Sequence, residues 1–184
     1  MSLTLAIALS VATLFILGGS LLVFPSFAEK IVKRFPHSRV ASVLCFGSAL
    51  IWFLINIWRL SPADFGDERV PIFIGCMVVG VLAFRFAPDF LALRGLCALM
   101  LLAASSLLRA GFMKYDVPGI YFQTGLVYLG IMAALIFAGQ PWLWRDGSNW
   151  LFAKRRRVAS LAGVALTYGF LLIFVAVGAA RRDF

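Results

Sequence analysis

The chain has 184 residues, 62% of them hydrophobic, with a mean hydropathy of +0.97 and a formal net charge of +9. Water-soluble domains run at about 45–50% apolar, so a soluble globular fold is excluded. The basic residues sit at the ends of apolar segments, where they meet lipid headgroups and set orientation. Nucleic acid is thereby set aside as a partner, and membrane lipid takes its place.

A helix needs about 20 apolar residues to cross a bilayer, with about 17 as the lower limit. Six segments qualify, roughly Leu3–Phe24, Val40–Trp58, Val70–Phe86, Phe90–Leu108, Ile120–Gly139 and Val158–Ala180. The expected fold is an all-α integral membrane protein, a single transmembrane domain over residues 1–184. Its six transmembrane helices form three helical hairpins with interfacial amphipathic elbows, an internal repeat with units of approximately 3–59, 70–110 and 119–180. A five-span topology is the competing expectation, because the third segment is short and holds Arg85 near its end. An arginine there reaches the headgroups along its own stem.

The first segment opens Met1-Ser2-Leu3-Thr4, without Lys or Arg, and no small-residue cleavage site precedes the basic stretch that follows. It reads as a retained helix and not as a secretory signal. Pro25 ends it. Ser26-Phe27-Ala28-Glu29 then fits a capping box, in which serine and glutamate satisfy each other's free amides. The short helix beyond has Phe27, Ile31 and Phe35 on its apolar side and Lys30, Lys33 and Arg34 on its polar side, an amphipathic pattern suited to the interface.

Next comes Arg39-Val40-Ala41-Ser42, which returns letter for letter as Arg157-Val158-Ala159-Ser160. Each copy opens an apolar span, and each follows a proline, a basic stretch and another apolar span. A reduced version falls between them at Pro88, Asp89, Phe90 and Arg94, with Asp89 as the expected cap. In the last elbow Pro141, Trp142, Trp144 and Trp150 flank an expected Ser148 cap, followed by Lys154, Arg155, Arg156 and Arg157. Small residues step by four behind each full copy: Ala41, Cys45 and Ala49, then Ala159, Gly163 and Thr167. Such stripes let membrane helices approach closely, which predicts equivalent packing of the second and sixth spans. All three hairpins start from the same side, so the repeat is parallel and not the inverted kind found in many transporters.

Lys and Arg set the orientation. The first, third and fifth loops carry Lys30, Lys33, Arg34, Arg39, Arg85, Arg94, Arg145 and the Lys154–Arg157 run. The other side holds fewer basic residues and most of the acids: Asp64, Asp67, Glu68, Asp116 and Asp183. The positive-inside rule places the odd loops in the cytoplasm of a bacterial-type inner membrane, with both termini outside.

Sites for chemistry are sparse. The single histidine, His37, lies between Pro36 and Ser38 in the first elbow, which rules out a bis-histidine haem within one chain. Cys45, Cys76 and Cys97 sit inside spans without a Cys-x-x-Cys pair and read as small packing residues. Span centres carry no Asp or Glu, whereas ion-coupled pumps place one at mid-membrane depth. Asn56, Gln123 and Thr124 lie near span ends, and Ser48, Ser105, Ser106, Tyr128 and Tyr168 lie deeper but uncharged. No nucleophile elbow, zinc-protease helix or Walker loop is present. No catalytic, cofactor or metal residues are assigned. Lipid headgroups or a partner are expected at Arg39, Arg94, Arg157, Lys30, Lys33 and Arg155. The leading functional expectation is a non-catalytic structural or accessory subunit of a larger membrane complex, with partner subunits or copies of itself. The alternatives are a small self-oligomerising transporter or channel and a membrane enzyme acting on lipid or quinone.

Overall fold

The computed structural model describes residues 2–59, 68–86, 89–114, 117 and 119–180. The expected outer-loop acids Asp64, Asp67, Asp116 and Asp183 and the turn residue Pro88 lie outside them. The described residues form eight α-helices and no strand: α1 (Leu3–Val23), α2 (Pro25–Arg34), α3 (Arg39–Trp58), α4 (Arg69–Phe86), α5 (Leu91–Gly111), α6 (Ile120–Gly139), α7 (Trp142–Phe152) and α8 (Arg155–Ala180). A single 3-10 turn, Phe35–His37, joins α2 to α3. Six helices, all but α2 and α7, are long and apolar enough to cross a membrane. The chain is therefore an all-α polytopic membrane protein, and α4, a continuous helix of 18 residues, is long and apolar enough to serve as the third of six spans.

Two compact units divide the chain: residues 1–33, 103–133 and 142–184 in the first, and 34–102 with 134–141 in the second. The first is built on α1 and α8, packed antiparallel. Leu3 and Ile7 meet Leu172 and Val175 at one end, with Val117 and Ile120 completing the cluster. Leu21 meets Val158 and Ala162 at the other end, joined by Ala28 of α2 and backed by Leu151 and Phe152 of α7. Each helix offers a glycine to its neighbour's bulk. A Cβ on Gly18 would stand 2.8 Å from Leu166 Cγ, and one on Gly169 2.9 Å from the Phe15 ring. With little hydrophobic drive between helices in lipid, close contact of this kind is what holds them together.

The buried face of α8 runs Val158, Ala162, Ala165, Gly169, Leu172 and Val175. The expected stripe of Ala159, Gly163 and Thr167 lies off this face, and all three residues are exposed. Ala159 and Gly163 each lie one step, and Thr167 two steps, from a buried residue, and one step turns a helix by about 100°. A Cβ on Gly163 would meet nothing within 4 Å.

In the second unit α3 and α4 pack antiparallel. Phe46 meets Phe84 edge-on at 5.2 Å, and Trp58 meets Phe73 edge-on at 5.7 Å. Arg69 lies over the Trp58 ring at 5.7 Å. Here the predicted stripe is partly inside: Ala49 is buried, while Ala41 and Cys45 are half-buried. The closest approach comes from a residue outside the stripe. A Cβ on Gly95 of α5 would lie 2.4 Å from the backbone nitrogen of Phe46, so α5 crosses α3 backbone to backbone.

Three caps differ from expectation. α2 begins at Pro25, whose fixed φ suits the first helical position, and the Ala28 amide donates to Phe24 O at 2.9 Å. Ser26 is thus already inside the helix, and Glu29 pairs with Lys33 at 2.6 Å instead of reaching back. Ser148 lies within α7 and donates to Arg145 O at 2.8 Å. Asp89 stands two residues ahead of α5, with Phe90 between them at φ 58°. The serine that does cap is Ser38, accepting from the Ala41 amide at 3.3 Å to start α3.

Candidate functional site

In the first unit the two longer elbows meet each other. Trp144 of α7 donates from Nε1 to the Val32 carbonyl of α2 at 3.1 Å. Arg157 is folded onto its own elbow: its Nη1 donates to Trp150 O at 2.8 Å, and its guanidinium sits 4.1 Å from the centre of the Trp150 ring. That contact is a cation–π pair and occupies the face a headgroup would use. Lys30 and Arg155 are exposed, and Lys33 holds Glu29.

Deeper in this unit, Gln123 Nε2 donates to Ser10 Oγ at 2.8 Å, and Ser10 in turn donates to Ala6 O at 3.1 Å. Gln123 is only 2% exposed, and its Oε1 is buried without a hydrogen-bond partner. Tyr168 donates to the Phe122 carbonyl at 2.8 Å.

In the second unit Arg39 opens onto a cleft of about 510 Å³ lined by His37, Arg39, Ser42, Val43, Phe84, Arg85, Asp89 and Leu91. The local chain explains the grouping. The 3-10 turn and the Ser38 cap put His37 and Arg39 at the start of α3, while antiparallel α4 delivers Arg85 at its end. His37 packs on Phe90 with ring centres 5.1 Å apart, and Ser42 donates to Ser38 O at 3.0 Å. Neither Arg39 nor Arg85 has an ion-pair partner among the described residues. Arg94 is exposed and does not line the cleft. A second hollow of about 560 Å³ lies on the same helices and is almost wholly apolar, with Phe46, Leu50, Phe53, Gly75, Cys76 and Ala98 among its walls.

The three arginines expected to act alike are therefore held differently: Arg39 faces a cleft, Arg94 is exposed, and Arg157 is engaged by Trp150. Sequence reasoning assigned no site to Arg85, Asp89 or Ser42. The signal that links them is topological, since the first and third loops fall on one side of alternating spans. Among the described residues no three of His, Cys, Asp or Glu come together as a metal site would require.

A scan against protein families finds no match, and searches of curated proteins and of solved structures find none either. The class rests on the fold: a polytopic helical membrane protein.

Proposed function

We propose that this chain is a non-catalytic structural or accessory subunit of a larger membrane assembly. The observation that carries the reading is α4. Only 6% of its most apolar stretch is buried, against 22–33% in the other spans, and Gly80 is its one buried residue. Exposure to lipid costs a helix little, because lipid tails are as apolar as leucine. What it leaves is a span held along one face, with Val78, Val81 and Leu82 open to a neighbouring helix. The proposed setting is a bacterial-type inner membrane with odd loops in the cytoplasm and both termini outside. The excess of Lys and Arg on the odd loops supports that orientation.

Purification from the native membrane in a mild detergent, followed by native mass measurement, tests the proposal. Foreign subunits in fixed ratio are expected. Val78→Trp and Val81→Trp should each reduce the co-purified partner about tenfold while leaving the yield of this chain unchanged. A homogeneous self-oligomer would replace the proposal with a pore or transporter, and flux in liposomes would then be measured.

A further inference from the structure

The polar cleft and the apolar hollow share α3 and α4, and their order along those helices matters. Arg39 stands at the start of α3, and the hollow begins at Phe46 and continues to Phe53. From Arg39 to Phe53 is 14 residues, about 21 Å of helix at 1.5 Å per residue. One leaflet of a bilayer, headgroups included, is about 20–22 Å thick. On α4 the order reverses as it must: Arg85 lines the cleft, then Gly80, Val79, Cys76 and Gly75 line the hollow. A charged end and an apolar channel are thus stacked in the sequence and over the depth of a single lipid.

The geometry points to a binding site for one phospholipid in the second unit, with its phosphate between Arg39 and Arg85 and an acyl chain in the α3–α4–α5 hollow. Two guanidiniums suit a phosphodiester, which they bind through paired N–H donors. Asp89 lines the same cleft and offers a carboxylate to a cationic group held beside the phosphate. It selects a headgroup that carries an ammonium beside the phosphate, so the ligand class is an amino-phospholipid. Val43, Phe84 and Leu91 in the cleft wall meet the glycerol and first methylenes, which a free phosphate would leave unused. Gly75 keeps the hollow open, since a Cβ there would meet nothing within 4 Å.

The test is native mass measurement of the full chain in detergent with added dioleoyl phosphatidylethanolamine, dioleoyl phosphatidylglycerol or inorganic phosphate. One phosphatidylethanolamine retained per chain is expected, in preference to phosphatidylglycerol. Retention should fall about tenfold in the Arg39→Gln, Arg85→Gln double variant. It should also fall in Gly75→Leu, which fills the hollow without touching the charges, but not in Gly19→Leu, another open glycine that belongs to the first unit. Asp89→Asn should shift preference toward phosphatidylglycerol. Equal retention in the double variant overturns the site. Unchanged retention in Gly75→Leu overturns the acyl channel. Displacement by inorganic phosphate overturns the lipid as the source of the phosphate, and a wild-type preference for phosphatidylglycerol overturns the amino headgroup.

Discussion

A missing methyl group decides much of the packing at the level of single residues. Gly95 faces backbone, with Phe46 N at 2.4 Å from a built Cβ, while Gly163 faces nothing. Backbone cannot turn aside as a side chain can. Gly95→Ala is therefore expected to destabilise the protein by about 1–3 kcal/mol, the range for overpacking. Gly163→Ala should go the other way, by up to about 1 kcal/mol, through helix propensity. Thermal unfolding in detergent reads both, and the opposite signs are the check. The Ser10–Gln123 pair allows a second contrast. Ser10→Ala removes the one hydrogen-bond partner of a buried amide whose Oε1 already lacks one. Leaving a buried polar group unsatisfied costs about 1–3 kcal/mol, whereas removing the Gln123 amide leaves Ser10 still donating to Ala6 O. Gln123→Met should thus be milder than Ser10→Ala, and equal losses in unfolding experiments would refute the assignment.

The spans themselves were plain in the sequence, because about 20 apolar residues in a row have few other uses. Observed and expected ends differ by three residues or fewer at every span. The short elements were less legible. Ser26 and Glu29 satisfy the capping-box pattern, yet Pro25 starts the helix one residue sooner and draws Ser26 inside. On α8, small residues recur at helical spacing on two faces, and composition alone does not say which one meets α1. The arginine cleft was invisible as a site because its members come from three helices and the turns before α3 and α5. The junction of the two outer elbows rests on Trp144, whose Nε1 reaches the Val32 carbonyl. Trp144→Phe keeps an aromatic ring, though a smaller one, and deletes the donor. A loss of about 1 kcal/mol is expected, with faster amide exchange in α2; unchanged exchange there would show that packing alone joins the elbows.

Across the whole molecule, the first unit draws on segments from both ends of the chain, and the α1–α8 interface is its spine. Ile7 is completely buried, and so is Leu172 beside it. About 165 residues separate them in the chain. A ribosome adding about 5–20 residues per second needs roughly 8–30 s to cover that distance. Throughout that interval the first helix waits in the bilayer with its glycine-notched face unfilled. Arrival of α8, not insertion of α1, is the moment at which the first unit acquires its core. Without α8, the face of α1 that carries Ile7 and Gly18 has lost the helix that fills it.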